Sequence, residues 1–128
     1  EARFLQNIVR QLKSEGIRVS LFLNPDPDMV ESAAETGTDR IELYTGSFAH
    51  DFYLDPVGAI QYHIETAAMA DQYKLGVNAG HDLNLDNLKF YKNGISNLLE
   101  VSIGHAIICD ALYYGLENII PMYLKQLQ

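Results

Sequence analysis

The sequence has one cysteine, few basic residues and no long apolar run. Because Cys109 has no second cysteine for an internal disulfide, the chain fits a reducing compartment, and we expect a cytoplasmic protein. Nine Lys and Arg against 17 Asp and Glu give a formal net charge of −8. That negative charge would repel a phosphate backbone and argues against nucleic-acid binding. No apolar run approaches the roughly 20 residues that cross a bilayer, so we expect no membrane partner.

Several nucleotide-binding and catalytic motifs are also missing. The sequence contains no Walker A loop, no G-x-G-x-x-G, no G-x-S-x-G and no C-x-x-C. A functional site has to be assembled from residues of separate segments.

The chain does have the composition of one globular domain. Its 128 residues are 48% apolar and 20% charged. It opens without an initiator Met and directly in an amphipathic helix pattern. One apolar face of that helix is formed by Phe4, Leu5, Ile8, Val9 and Leu12. We therefore expect residues 1–128 to be a single partial domain, a fragment of a longer fold.

Short apolar segments alternate with amphipathic ones along the rest of the chain. The predicted strands are Ile17–Leu23, Arg40–Gly46, Leu75–Gly80 and Leu98–Gly104. The helices predicted after them are about Pro27–Thr36, Pro56–Tyr73, Leu85–Lys92 and Ala106–Gln126. Such alternation indicates the α/β class, with a parallel sheet and right-handed crossovers. Two architectures fit: a small doubly wound sheet of four strands, or half of an eight-stranded β/α barrel.

Two Gly-His pairs stand at the carboxyl ends of predicted strands, where parallel α/β folds bind ligands. His81 follows the third strand and His105 the fourth. Imidazole exchanges a proton near neutral pH, so both histidines are candidates for acid–base chemistry. The structural alternative is a hydrogen-bonded histidine of the framework. Gly104 and His105 also open the last helix, whose N-terminal amides are a candidate phosphate site or an ordinary turn.

Glu42 is an acidic residue inside an apolar strand. Burying its carboxylate is costly unless it is paired, so it predicts a functional group or an ion pair with Arg40 on the same face. Glu42, His81 and His105 could together hold a metal ion, but nothing in their spacing requires it, and we predict no metal site. Cys109, one turn into the last helix, is expected in the core.

The segments VSLFLNPD, RIELYTG, GVNAGHDLN and VSIGHAII, in this order, resemble the pyridoxine 5′-phosphate synthase family of vitamin B6 biosynthesis. The resemblance spans essentially the whole chain and is most specific at NAGH and IGHAII. It implies the C-terminal half of a TIM (β/α)8 barrel, an N-terminal helix followed by four β-α units that form strands five to eight. The N-terminal half of the barrel would be absent.

That family condenses 1-deoxy-D-xylulose 5-phosphate with 3-amino-2-oxopropyl phosphate to give pyridoxine 5′-phosphate, phosphate and water. By resemblance, His81 matches the general acid that protonates a leaving oxygen, and Glu42 matches a glutamate that stabilises charge in the transition state. Gly104 and His105 match contacts to the phosphate of the amino ketone, and Asp82 matches a further substrate contact. The resemblance implies small phosphorylated molecules as partners and neither a metal nor an organic cofactor.

Two residues depart from the family pattern. Asp82 stands where some members have glycine, so a substrate contact there would use its backbone, because a carboxylate beside a phosphate is unfavourable. Tyr44 occupies a position that is histidine in some relatives, and its role stays open. Further His, Glu, Arg and Thr site residues belong to the first half of the family's chain. We therefore expect the 128-residue chain alone to be inactive.

Three hypotheses follow for the parent chain. The first is the synthase, the second a non-catalytic phosphate-binding or regulatory α/β domain, and the third a metal-dependent aldolase-like barrel. The family assembles into oligomers and a half-barrel exposes strand edges, so we also expect a homo-oligomer. Aromatic residues that could form its contacts, or simply pack locally, are Phe48, Phe52, Tyr53, Tyr113 and Tyr114.

Overall fold

Parallel strands and helices alternate in the computed structural model, which describes the backbone of residues 2–128 and the side chains of residues 3–128. The strands are β1 (Ser20–Leu23), β2 (Arg40–Tyr44), β3 (Gly76–Gly80) and β4 (Leu98–Ser102). The helices are α1 (Ala2–Ser14), α2 (Val30–Glu35), α3 (Gly46–Asp51), α4 (Pro56–Gln72), α5 (Leu88–Gly94), α6 (His105–Tyr114) and α7 (Leu116–Gln126). A 3-10 turn, Pro27–Met29, leads into α2. The predicted α/β class is confirmed.

Local signals in the sequence explain several of these boundaries. α4 starts at Pro56, whose ring suits the first helical position, and the Asp55 carboxylate accepts a hydrogen bond from the Gly58 amide at 3.0 Å. Ile17, expected in the first strand, instead donates its amide to the Leu12 carbonyl at 3.1 Å and closes α1. β1 is therefore shorter than predicted. Within residues 2–128, none of the helices is both long and apolar enough to span a membrane.

The four strands form one sheet in the order β1-β2-β3-β4, and every neighbouring pair is parallel. A doubly wound sheet reverses its strand order, so that helices cover both faces. The sheet formed by the described residues has no reversal, and right-handed crossovers in one direction put the connecting helices on one face. This consecutive order is compatible with part of a β/α barrel, the second of the two predicted architectures.

The helix-covered face of the sheet carries the hydrophobic core. Ile41 and Leu43 of β2 and Val77 and Ala79 of β3 are fully buried there. Helical side chains complete the core, among them Phe48, Ile60, Leu88, Tyr91 and Ile119. Because burying one large apolar side chain contributes about 1.5–3 kcal/mol, this face drives folding.

The other face of the sheet is open. Phe22 of β1 and Leu99 of β4 are 60% and 57% exposed, although both are large apolar residues. Along β2, Arg40, Glu42 and Tyr44 lie on this face and alternate with the buried residues of the core. The open face therefore presents polar and aromatic side chains that the helices leave uncovered.

An ion-pair network crosses the open face from Arg18, two residues before β1, to Glu100 of β4. Arg18 Nη2 donates to both carboxylate oxygens of Glu100 at 3.0 Å. Arg40 Nη1 lies 3.0 Å from Glu100 and donates to Asn78 Oδ1 at 3.1 Å. The expected structural pair of Arg40 with Glu42 is therefore wrong, because Glu100 and Asn78 draw the guanidinium toward β3 and β4.

Two helical predictions are corrected by the structure. No helix is predicted between the second strand, which was expected to end at Gly46, and the helix that begins at Pro56, but α3 forms there because Phe48 is fully buried and anchors the segment to the core. The last helix was expected as one piece, but it breaks at Gly115, which adopts a φ of +81° between α6 and α7.

The apolar residues of two helices are less buried than predicted. Cys109 is exposed, because α6 packs against the core through the face formed by Ala106, Ile107 and Ala111, and Cys109 points away from the middle of that face. On α1, Val9 is buried, whereas Phe4 is 67% exposed. The remaining apolar residues of the predicted α1 face are also only partly covered.

Candidate functional site

The predicted site residues of β2 and β3 meet at one end of the open face. Tyr44 is paired with Gly80 in the parallel register, which brings the ends of the two strands together. The Tyr44 ring meets the His81 ring edge-to-face, with 4.9 Å between centroids, and it meets Phe22 of β1 at 5.8 Å. Three neighbouring strands thus contribute to one wall of side chains.

Glu42 is half-buried beside Gly80 on this wall. A Cβ atom on residue 80 would lie 2.6 Å from Glu42 Oε1 and 3.1 Å from Ser102 Cβ, so the Glu42 carboxylate would have to move to admit it. Glycine at position 80 therefore leaves the space that the carboxylate occupies. The ion pairs formed by the described residues do not include Glu42. Its carboxylate is thus not neutralised by a neighbouring cation.

A second glycine accommodates Tyr44. A Cβ atom on residue 46 would collide with the Tyr44 hydroxyl, so the phenol ring lies against the start of α3. The same Tyr44 ring also contacts the rings of His81 and Phe22. Tyr44, whose role the sequence left open, therefore forms the centre of the aromatic wall.

His81 lies in a turn with uncommon backbone angles. The φ angle is +97° at His81 and +56° at Asp82, values that residues other than glycine rarely adopt. Such conformations cost about 1–3 kcal/mol each and persist where neighbouring contacts enforce them. Here the Thr45 hydroxyl donates to the His81 carbonyl oxygen, and the Thr45 amide donates to the Gly80 carbonyl at 2.9 Å.

Asp82 turns its carboxylate toward the imidazole. Its Oδ2 atom lies 3.0 Å from His81 Nδ1, and both side chains are about half exposed. In the tautomer with Nδ1 protonated, His81 donates to Asp82 and leaves Nε2 for a substrate. The structure thus places the Asp82 carboxylate as a partner of the histidine.

Gly104 and His105 follow β4 and begin α6. A Cβ atom on Gly104 would meet no other atom within 4 Å, so the space before the first amides of α6 is open. His105 Nε2 lies 3.5 Å from Cys109 Sγ, one turn along the helix. In the described part of the chain, no hydrogen bond, ion pair or ring contact joins His105 to Glu42 or His81. The predicted residues therefore lie at neighbouring strand ends without direct contact between His105 and the Glu42–His81 side.

The histidines do not assemble a metal site in the structure. Over residues 2–128, no three His, Cys, Asp or Glu side chains converge as metal ligands, so Glu42, His81 and His105 are not gathered into one set. His50 is exposed on α3, with Nδ1 2.7 Å from the Asp51 carboxylate. His63 is buried in the core.

Comparison with known sequences identifies the family. The family described as pyridoxal phosphate biosynthesis protein PdxJ matches residues 1–128, which is the whole chain. The chain belongs to the PdxJ family. The resemblance expected from NAGH and IGHAII is thereby confirmed.

Curated relatives of this PdxJ chain carry the name pyridoxine 5′-phosphate synthase. The relative from Flavobacterium johnsoniae is 50% identical over 125 residues, which cover 98% of this chain and 53% of the relative. The relative from Cytophaga hutchinsonii is 54% identical over 125 residues, which cover 98% of this chain and 52% of the relative. The chain therefore spans about half the length of these curated relatives.

Two buried residues of this PdxJ chain contact the site and were not predicted from the sequence. Thr45 follows β2 and Asn87 precedes α5, and both are fully buried. Asn87 Nδ2 donates to the Asp82 carbonyl at 3.4 Å, next to the carbonyl that Thr45 holds. Thr and Asn before a helix are typical N-cap residues, so the sequence pattern predicts capping for both. The one sequence signal for a role in the site is that each residue lies close after a predicted strand end.

Proposed function

We propose that the parent chain is a pyridoxine 5′-phosphate synthase that condenses 1-deoxy-D-xylulose 5-phosphate with 3-amino-2-oxopropyl phosphate. Water and inorganic phosphate are the other products. The observation that carries the proposal is the contact of Tyr44 with His81 at adjacent strand ends, with Glu42 on the same face against Gly80, in a family whose curated relatives bear that enzyme's name.

We place this segment as strands five to eight of a TIM barrel. The consecutive parallel order of β1 to β4 and the single helix-covered face support this position. In a closed barrel, the open face would line the interior, and the strand ends that carry the site would lie at the catalytic end. The domain would then be half of one barrel.

His81 acts as the general acid in this proposal. The acid is His81 protonated on both ring nitrogens: Asp82 accepts the hydrogen bond from Nδ1–H, the Nε2 proton is transferred, and the neutral Nδ1–H imidazole remains. Transfer of that proton to a hydroxyl oxygen of the substrate lets the oxygen leave as water. The contact with the Tyr44 ring restricts the imidazole to one orientation for this step.

Glu42 stabilises positive charge that develops on the condensing substrates. Its carboxylate is half-buried and lies on the same face as the His81 turn, against Gly80. Because the ion pairs among the described residues do not involve this carboxylate, its charge can act on a nearby cationic centre.

Gly104 and His105 bind the phosphate of the amino ketone. The open space before Gly104 lets a phosphate approach the first amides of α6, whose positive end favours an anion. Asp82 contributes a backbone contact, because its carboxylate is directed at His81. The reaction requires no metal and no organic cofactor in this scheme, and the enzyme is a cytoplasmic homo-oligomer.

The test is made on the full-length protein. Both phosphorylated substrates are supplied, and pyridoxine 5′-phosphate and inorganic phosphate are followed together. We expect equal yields of the two products, a loss of about 10²–10⁴-fold in kcat for His81→Gln, and a smaller loss for Glu42→Gln. His50→Gln is the matched control, since His50 is exposed on α3 away from the strand ends. Phosphate binding without product, or an active His81→Gln, would overturn the proposal.

A further inference from the structure

We propose that Thr45 is a positioning residue that holds the His81 acid in its working geometry, with Asn87 supporting the same turn. This inference rests on the proposed role of His81. The backbone φ angles are +97° at His81 and +56° at Asp82. Two consecutive residues with side chains do not keep such angles unless their surroundings impose them.

Thr45 supplies contacts that impose this geometry. Its amide donates to the Gly80 carbonyl at 2.9 Å and its hydroxyl donates to the His81 carbonyl, so one residue holds two consecutive carbonyl groups of the neighbouring segment. Thr45 is fully buried, so bulk solvent does not reach its hydroxyl.

The Thr45 hydroxyl binds the His81 turn and does not cap the helix that follows it. Thr45 occupies the N-cap position of α3, where a threonine side chain normally accepts a hydrogen bond from the first helical amides. In this structure the side chain makes no such bond. The hydroxyl donates to the His81 carbonyl instead, so the Thr45 side chain does not cap the first amides of α3.

Asn87 shows the same departure on the other side of the turn. It is fully buried at the N-cap of α5 and makes no side-chain capping bond. Its Nδ2 donates to the Asp82 carbonyl at 3.4 Å, and its Oδ1 accepts from the Asn84 amide at 2.9 Å. The side chains of Thr45 and Asn87, at the N-cap positions of two separate helices, thus donate hydrogen bonds to consecutive carbonyl groups of the turn that carries His81.

A Ser and Ala pair at position 45 of the full-length protein isolates the hydroxyl. Thr45→Ser keeps the donor, whereas Thr45→Ala differs from it by a single oxygen atom. We expect Thr45→Ala to lower kcat about 10–100-fold with KM changed less than about threefold, and Thr45→Ser to stay within about threefold of the unmodified enzyme. Equal kinetics for the two variants would overturn the inference.

Thr66→Ala is the matched control. Thr66 is also fully buried, and its hydroxyl donates to the Tyr62 carbonyl at 2.7 Å, but it lies within α4. A loss of kcat in Thr66→Ala as large as in Thr45→Ala would reduce the Thr45 effect to general destabilisation and overturn the inference.

Amide hydrogen exchange gives a readout that does not depend on turnover. We expect faster exchange of peptides covering residues 81–84 in Thr45→Ala than in Thr45→Ser or Thr66→Ala. Unchanged exchange would contradict the proposed hold on the turn. If His81→Gln remains active, the proposed function fails, and the exchange comparison still decides whether Thr45 holds this segment. If His81→Gln is inactive and Thr45→Ala is normal, only the present inference fails.

Discussion

Two glycines shape the site because they have no side chain, just as other residues shape it through their functional groups. Gly80 leaves room for the Glu42 carboxylate, and Gly46 leaves room for the Tyr44 ring. Both glycines have negative φ, so the space around them rather than backbone freedom explains glycine at these positions. A Cβ atom at either one would displace a side chain of the wall.

The protonation of His63 is controlled by its burial in the core. It is 1% exposed, its Nδ1 lies 2.9 Å from the Tyr91 hydroxyl, and its Nε2 is buried without a partner among the described residues. Burial disfavours the charged imidazolium and lowers the pKa of His63 to about 4. Burial likewise raises the pKa of Tyr91.

The lowered pKa of His63 predicts a loss of stability in mild acid. Between the unfolded pKa near 6.5 and the folded pKa of about 4, the unfolded chain binds a proton that the folded chain does not. Stability from this group is therefore complete above about pH 6.5 and falls as the pH falls. From about pH 7 to about pH 5, we expect His63 to remove about 2 kcal/mol from the free energy of unfolding.

Urea unfolding of the full-length protein at the two pH values measures this effect. In His63→Leu the acid-induced loss should shrink by about 2 kcal/mol, whatever the variant's stability at neutral pH. His50→Gln, which removes an exposed histidine, should keep the loss of the unmodified protein. An equal loss in His63→Leu and the unmodified protein would contradict the buried, neutral state of His63.

The secondary-structure elements show where local pattern and tertiary packing disagree. Apolar periodicity runs through residues 106–126 and predicted one helix, yet α6 and α7 are separate. Gly115 has φ +81° and ψ +145° between them, a conformation that essentially only glycine adopts, and Pro121 lies inside α7. The glycine was the available signal for the break.

Gly115→Ala should destabilise the full-length protein by about 1–3 kcal/mol. The new methyl group would meet only Asn118 Nδ2, at 3.8 Å, so the cost comes from the backbone angle rather than from a clash. Thermal or urea unfolding measures it. Gly104 also has an uncrowded Cβ position, but its φ is negative, so Gly104→Ala should cost less stability and serves as the comparison.

A different result would revise the helix break. Alanine has a high helix propensity, and a continuous helix through residues 114–116 would gain stability from Gly115→Ala. Increased helicity by circular dichroism together with a higher unfolding midpoint would therefore favour the single helix expected from the periodicity.

At the scale of the whole molecule, the covered and open faces of the sheet have separate roles. The core fills the side beneath the helices, whereas the open side carries Glu42, Tyr44 and the network around Glu100. Phe22 and Leu99 stay exposed on the open side. A substrate bound to the open face would contact the protein on one side and solvent on the other.

We predict that the 128-residue chain alone forms no pyridoxine 5′-phosphate. It spans about half the length of its curated relatives, and a substrate on its open face would stay in contact with water. The measurement is product formation by the purified chain, with its mass and its circular dichroism spectrum checked, beside the full-length enzyme under the same conditions. Turnover by the short chain would contradict the prediction.

The sequence alone determined the α/β class, the order of the four strands and the position of the Gly-His pairs at strand ends, but neither α3 nor the break between α6 and α7. These features follow from local composition: short β-branched and apolar segments, turn-forming glycines and prolines, and motifs read in one stretch. The family was recognisable for the same reason, since NAGH and IGHAII are each contiguous in the sequence.

Only the tertiary structure decided which partners these residues have. Arg40 pairs with Glu100 of β4 rather than with its near neighbour Glu42, and the Thr45 hydroxyl reaches the His81 carbonyl 36 residues away. Such contacts depend on strand register and on which face the helices cover. Register and facing are set by the free energy of the whole packed sheet, which no local pattern contains.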